Sequence, residues 1–262
     1  YGEAHLNAPI ESGKTQNAMV DLHRVILFMG YKFNKNLQFF SEIEFEHVKE
    51  VYVEQAYLNY SVNSAINFKT GVILIPMGYV NEFHEPTLFN GVERPAVDKT
   101  IIPSTWRELG VGMHGLVKKA NIKYQLYVVN GFKSYDGNAK VSGSGGLRSA
   151  RQKATKATVR KPSVTGKVTF YGIGGLHLSL SGYYGQTESS LYSSVSLDDK
   201  MAIATADSTI LGVGMTSINA EYKVGNIKVR AVGILTSLSN TDQYNTFTSS
   251  SVASQMMGYY GE

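Results

Sequence analysis

Polar and apolar residues alternate with a period of two along segments of about ten residues, the length of a tilted strand that crosses a bilayer. In LQFFSEIEFEH (37–47), Phe39, Ile43 and Phe45 fall on one face, and Gln38, Glu42, Glu44 and Glu46 on the other. Three carboxylates in a row require water on their side. IKYQLYVV divides Ile122, Tyr124, Leu126 and Val128 from Lys123, Gln125 and Tyr127, and LHLSLSGYY divides Leu176, Leu178 and Leu180 from His177, Ser179 and Ser181. NIKVRAVGIL sets Ile227, Val229, Ala231, Gly233 and Leu235 against Asn226, Lys228 and Arg230. Two charges break the pattern: Arg24 falls in line with Val20, Leu22, Ile26 and Phe28, and Glu54 with Tyr52, Ala56, Leu58 and Tyr60. On a lipid-facing surface such charges belong near a rim or opposite a bulge, where they cost about 0–1 kcal/mol instead of the midplane's 2–4.

Alternation also occurs in soluble sandwiches, so connection lengths decide between architectures. The strands expected from the pattern are 1–9, 18–33, 37–47, 51–62, 66–77, 106–117, 122–131, 163–172, 175–187, 208–224, 226–239 and 252–262. The even-numbered exits are tight (NKN, NSA, KKAN, IGG and GN). The odd-numbered exits carry 78–105, 131–162, 188–207 and 240–251, with shorter links at 10–17 and 48–50. Long connections at one end and tight turns at the other describe an outer-membrane barrel with periplasmic turns and extracellular loops. A Greek-key sandwich would send long crossings to both ends. The expectation is all-β: a transmembrane antiparallel up-and-down β-barrel of about 12 strands, with residues 1–262 as a single domain.

Composition agrees. Of 262 residues, 17 are Tyr, 11 Phe and 26 Gly, which favours strands and tight turns. No apolar run approaches the roughly 18–20 residues of a membrane-spanning helix, and the longest candidates, such as VILIPM (72–77), are strand-sized. Cysteine is absent, which removes disulfides, thiolate metal sites and cysteine nucleophiles. The chain begins at Tyr1 with no basic and apolar leader, so any signal peptide lies outside it. The closing VASQMMGYYGE reads as a strand interrupted midway, with further strands expected beyond.

Charge is uneven. Residues 131–162 hold eight Lys or Arg against one acid, Asp136, a local charge of +7 in a chain whose total is +4. Arg148, Arg151, Lys153, Lys156, Arg160 and Lys161 are thus expected in a solvated basic loop at the extracellular mouth. Residues 76–109 hold four prolines and the single Trp, a low-entropy connection suited to folding inward, so 78–105 is the candidate constriction. Pore-lining candidates are Glu42, Glu44, Glu46, Glu82, His84, Glu85, Arg94, Lys99, Arg107, Lys123, Lys228 and Arg230, with Lys167 on a further strand. Glu82, His84, Glu85 and Glu93 have metal-ligand chemistry but no defining spacing, and neither a metal nor a cofactor is expected.

The chain resembles the phosphate-selective porin O/P family, particularly its Bacteroidetes-type members. The resemblance rests on DLHRVILFMGYKFN (21–34), FFSEIEFEH (39–47), EQAYLNY (54–60), the G-x-x-x-x-P-x-G run (71–78), NEFHEP (81–86), GVERP (91–95), IIPSTWRELGVG (101–112) and GLRSARQKATKA (146–157). These cover the first 160 residues; the rest matches only as generic strands. The resemblance implies a water-filled barrel in the outer membrane of a Gram-negative bacterium, conducting small solutes or ions. The family's barrels usually have about sixteen strands. Its phosphate selectivity rests on a line of lumen arginines that does not map here residue by residue. Outer-membrane lipids including lipopolysaccharide, a homo-trimer and other outer-membrane proteins are the partners it implies.

Two other classes compete. An outer-membrane enzyme would need a base, for which His23 beside Asp21 is best placed, but no nucleophile motif accompanies it. A soluble or surface β-sandwich binding glycans would use the aromatics. Nucleic-acid binding has no support, because the basic cluster lacks interleaved aromatics.

Overall fold

The computed structural model describes residues 2–8, 17–82, 88, 90–91, 94–193 and 195–262. In chain order its strands are β1 (Gly2–Asn7), β2 (Met19–Lys32), β3 (Leu37–Glu46), β4 (Glu50–Ser61), β5 (Asn67–Leu74), β6 (Arg107–Val117), β7 (Ile122–Val129), β8 (Lys133–Tyr135), β9 (Ser163–Ile173), β10 (Leu176–Gln186), β11 (Glu188–Ser189), β12 (Gly212–Val224), β13 (Ile227–Ser239) and β14 (Gln255–Gly261). All except β8 and β11 form one 12-stranded antiparallel sheet in which each strand pairs with its neighbours in order. β8 and β11 pair with each other inside the long connections. Helices α1 (Val97–Thr100), α2 (Lys200–Ser208) and α3 (Thr241–Thr248) also lie in those connections.

The predicted parity of connections holds. The links 33–36, 62–66, 118–121, 174–175 and 225–226 close one end, helped by left-handed backbone at Asn121 (φ 53°) and Gly175 (φ 77°). The links 75–106, 130–162, 187–211 and 240–254 emerge at the other. The strands surround the described residues of the connection 75–106. Lys167 of β9 reaches Gly78 and Glu82, Arg230 of β13 donates to the Leu88 carbonyl, and Gln125 of β7 donates to Glu82. Arg94 and Thr105 share a cavity with Glu44 of β3 and Tyr52 of β4. A sheet whose one face meets the same segment from β3 round to β13 is curled about it.

The outward face carries Leu27, Met29, Leu58, Leu126, Val128, Leu178, Leu180, Ile227, Val229 and Leu235, all exposed, an apolar belt of the kind a bilayer covers. The faces expected for β7, β10 and β13 are those observed. β2 and β4 correct the expected faces of Arg24 and Glu54, because each strand bulges at its charge. Register slips between Glu3 and His5 against β2, so that Glu3 pairs with Arg24 but His5 with Asp21. Across β3 and β4 it slips between Glu42 and Ile43, which pair with Gln55 and Val53 and leave Glu54 as the extra residue. A bulge adds a residue and so exchanges the two faces of a strand. Arg24 therefore shares a face with Glu46, and Tyr52, expected on the apolar side, pairs with Glu44 on the polar one. Glu54, expected near a rim or opposite a bulge, is itself the bulge.

Within the barrel, at the long-loop end, lies an apolar core. Ile75, Met77, Ile102, Trp106, Phe132, Val141, Leu147, Leu211, Tyr244 and Val252 from the connections pack against Tyr127, Tyr183, Met215 and Ile234 of the wall. Trp106 stacks on Phe132 with ring centroids 4.3 Å apart and tilts against Tyr183 at 4.9 Å, contacts worth about 0.5–1.5 kcal/mol per pair beyond area burial. The connections thus fold back into the barrel instead of standing in solvent.

Gly71 shows how closely the wall is built. Its φ is +133°, and a Cβ there would lie 2.3 Å from the Ala56 carbonyl oxygen and 2.8 Å from the Tyr57 Cα. Gly71→Ala is expected to cost about 1–3 kcal/mol, read as an earlier heat-induced loss of the compact band on semi-native gels. Unchanged melting would show that β4 and β5 relax around the added methyl.

Candidate constriction site

The segment 75–106 enters the barrel through a neck held by Asn81. Its buried side-chain amide donates to the carbonyls of Ile75 (2.7 Å) and Trp106 (3.1 Å), and its oxygen accepts from the Trp106 N–H (2.7 Å). One side chain thereby satisfies both strands of the neck where they leave the sheet. Further in, Glu82 is clamped by Lys167 Nζ at 2.8 Å, Lys123 Nζ at 3.8 Å and the Gln125 amide at 2.6 Å. Burial alone would raise the Glu82 pKa, but Lys167 and Lys123 outweigh it and hold the carboxyl below its usual range. Lys167 Nζ also donates to the Gly78 carbonyl at 3.0 Å, so β9 anchors the segment twice.

A cavity of about 100 Å³ lies between this segment and β3–β4, lined by Glu44, Glu46, Tyr52, Glu54, Arg94, Thr105, Arg107, Arg148, Arg151 and Lys153. On the strand side, Arg24 pairs with Glu44 (2.9 Å), Glu3 (2.9 Å) and Glu46 (4.0 Å), and Arg107 pairs with Glu54 at 2.6 Å. On the loop side, Arg94 donates to Ser104 Oγ at 2.5 Å. Arg151 donates to the carbonyls of Arg148 (2.8 Å) and Ser104 and to Thr105 Oγ1 (2.9 Å). Arg148 Nη1 is buried without a hydrogen-bond partner among the described residues. Burial, reinforced by Arg148 and Arg107, pushes Arg151 down to about 9, and burial likewise lowers Arg148 and Lys153. The three cations stand in a shared field that an entering anion would relieve.

A second cleft of about 250 Å³ opens toward the tight-turn end and is lined by Tyr79, Glu82, Lys123, Lys167, His177, Asn219, Glu221 and Arg230, among others. Glu221 lies 3.1 Å from Lys228 Nζ and 3.4 Å from Arg230 Nε, and Arg230 Nη1 lies 3.8 Å from Glu262. The guanidinium also sits over the Tyr79 ring at 4.3 Å.

The expected residues therefore divide. Glu44, Glu46, Arg94, Arg107, Arg148, Arg151 and Lys153 meet in one cavity, and Glu82, Lys123 and Arg230 line the other, with Lys228 bonded to its Glu221. Glu42 is buried and accepts from the Gln55 amide at 2.7 Å. Lys99 is exposed on α1, away from both linings. His84, Glu85 and Glu93 lie outside the described residues. The segment 131–162 is corrected: Lys156, Arg160 and Lys161 are exposed as expected, but Arg148, Arg151 and Lys153 turn inward because Leu147 and Ala150 are buried in the core and Gln152 is held by Glu108 and the Gly131 carbonyl. Asn81, Tyr79 and Glu221 were missed. A buried asparagine at the base of a proline-rich connection was the one available signal.

No family model matches the chain. An uncharacterized protein of Aquifex aeolicus (strain VF5) is 40% identical over 179 residues, 65% of this chain and 39% of that protein. Among solved structures, the outer membrane channel DcaP of Acinetobacter baumannii aligns with a TM-score of 0.51 at 15% identity, over 86% of this chain and 56% of DcaP. OmpF of Salmonella typhi, in complex with daunomycin, aligns with a TM-score of 0.51 at 10% identity, over 86% of this chain and 62% of OmpF. The fold is that of an outer-membrane porin-type β-barrel. The chain spans less than two thirds of the length of each of these proteins.

Asp98 of α1 is the group through which pH is expected to act on the in-folded segment. It is fully buried, and burial, partly offset by Tyr260 and by Arg94 and Arg230, pushes its carboxyl up to about 6. A carboxyl whose folded pKa is raised contributes stability below its unfolded pKa of about 4 and loses it as the pH rises through the folded value, here on the order of 3 kcal/mol. Asp98→Asn is expected to flatten this dependence. The check is the thermal midpoint in detergent between about pH 4 and pH 7; an equal pH slope in both proteins would show that another group carries it.

Proposed function

We propose that the chain builds the wall and constriction of an outer-membrane channel for passive diffusion of small hydrophilic solutes or ions, with a preference for anions, phosphate among them, at its long-loop mouth. The observation that carries this reading is the cavity beside the in-folded segment, where Arg148, Arg151 and Lys153 face Arg107 and Arg94 and an Arg148 nitrogen has no partner among the described residues. The acids opposite are already matched: Glu44 by Arg24 and Glu54 by Arg107. The unmatched charge is positive, and guanidinium donors in a partly desolvated site recognise oxyanions. The resemblance to phosphate-selective porins O and P points the same way. The apolar outer belt suits lipid contact, with lipopolysaccharide around the exposed Lys156, Arg160 and Lys161, and the porin fold suits a homo-trimer. Residues 1–262 act in this reading as one barrel domain, and the long connections face outward from the cell.

Two measurements test it. Arg148→Glu with Lys153→Glu is expected to lower the anion-to-cation permeability ratio by roughly two- to fivefold, read from reversal potentials of single channels in a salt gradient. Cation selectivity in the unaltered protein would overturn the anion preference, and absence of conductance would overturn the channel. Lys167→Met removes the anchor of Glu82 and Gly78, so conductance should rise or flicker as the segment loosens. An unaltered conductance would place the narrowest point elsewhere.

A further inference from the structure

Six histidines scattered through the sequence suggest no site, yet strand pairing gathers three of them. His5 on β1, His23 on β2 and His47 in the turn after β3 meet at the long-loop end, around Asp21. The His47 Nδ1 lies 2.7 Å and the His23 Nδ1 3.1 Å from the same Asp21 Oδ2. His5 stacks on His23 with centroids 4.1 Å apart, and His47 meets His23 edge-on at 5.0 Å. One potential ligand atom each from Asp21, His23 and His47 lies within 4.8 Å of the others, and the same holds for Glu3, His5 and His23.

We propose that Asp21, His23 and His47 bind a borderline divalent transition-metal ion, of which Zn²⁺ is the natural probe, with water completing the coordination. Neutral imidazoles with one carboxylate are the donor set of such ions, and tetrahedral Zn²⁺ holds its donors about 3.3 Å apart, which follows from Zn–N distances of about 2.0–2.1 Å. The Asp21 oxygen lies 3.1 Å and 2.7 Å from the two ring nitrogens, close to that spacing. Each neutral imidazole then binds through Nδ1 with its proton on Nε2, and a ring that is protonated beforehand releases one proton to solvent.

The geometry favours this triplet over the one containing Glu3. Glu3 is committed to Arg24 at 2.9 Å and to His5 at 2.5 Å. The charge partners of Asp21 among the described residues are the two imidazoles. The side chains of Asp21, His23 and His47 are 33%, 24% and 43% exposed, so an ion can enter from water. The turn that presents His47 is strained: His47 has φ 50° and the β-branched Val48 has φ 66°, where glycine or asparagine would be at ease. That backbone aims the His47 ring across the β2 edge at Asp21, and the His47 N–H bonds the His23 carbonyl at 3.1 Å. Strain kept at a cluster of ligand-type side chains marks a functional position. The site lies on β1–β3, apart from both cavities, and does not rest on what the barrel conducts.

The test is calorimetric titration of the folded protein in detergent with Zn²⁺, alongside His23→Ala, His47→Ala and the remote His177→Ala, each checked for heat-modifiable migration. One equivalent should bind. His23→Ala and His47→Ala should weaken it by about tenfold or more, with His177→Ala unchanged. Absence of stoichiometric binding overturns the proposal, as does binding that survives both His23→Ala and His47→Ala or that His177→Ala reduces equally. Loss in His23→Ala alone would overturn the assignment of His47 and move the site to Glu3, His5 and His23.

Discussion

A charged side chain on a strand of this barrel must point inward. A charge at the lipid midplane costs about 2–4 kcal/mol, whereas one facing the interior can find a counter-ion or water. Strict alternation would place Arg24 and Glu54 on the wrong face, and at both positions the backbone bulges. The slip turns both charges inward and brings them into ion pairs, Arg24 with Glu44 and Glu54 with Arg107. The two bulges thus set the register of β1–β4, and that register decides which residues line the cavity.

The interior is then divided by the connections. Four long segments leave the same end, and each carries apolar residues that would be costly to leave in water. Burying them inside the barrel yields the core around Trp106, which occupies the side bounded by β7, β10, β12 and β13. Polar space is displaced to the opposite side, beside β3 and β4, and to the tight-turn end below Glu82. Asn81 and the Lys167–Glu82 pair fix the boundary. A buried pair of this kind adds little net stability, but removing one partner leaves an uncompensated charge, so it specifies a position more than it strengthens the fold.

What was legible in the sequence follows from what is local. Period-two alternation gave the faces of β7, β10 and β13, and the lengths of the connections gave the order and direction of all twelve strands of the sheet, because both depend on neighbouring residues. The row Glu42, Glu44 and Glu46 was expected to face water, and Arg24 lies against it. The bulges were not legible for β2, since one extra residue is defined only against the partner strand. The fate of 131–162 was hidden for a related reason. Its charge of +7 described a solvated loop, but Leu147 and Ala150 spaced among the cations pull Arg148, Arg151 and Lys153 inside. The meeting of His5, His23 and His47 depends on pairing across three strands and leaves no mark in linear spacing.

The division of labour between strands and connections has an electrostatic consequence. Charges on the strands of the cavity are largely neutralised where they stand, because a wall residue is fixed by sheet register and must be satisfied locally. Those on 131–162 are held by backbone carbonyls and by the burial of adjacent residues, which satisfy geometry without cancelling charge: Arg151 by the carbonyls of Ser104 and Arg148, and Arg148 by lying between the buried Leu147 and Ala150. The field inside the cavity is therefore supplied by the connections on a wall that is nearly balanced, and the sign of that field can change through a few loop residues while the barrel that presents them stays the same.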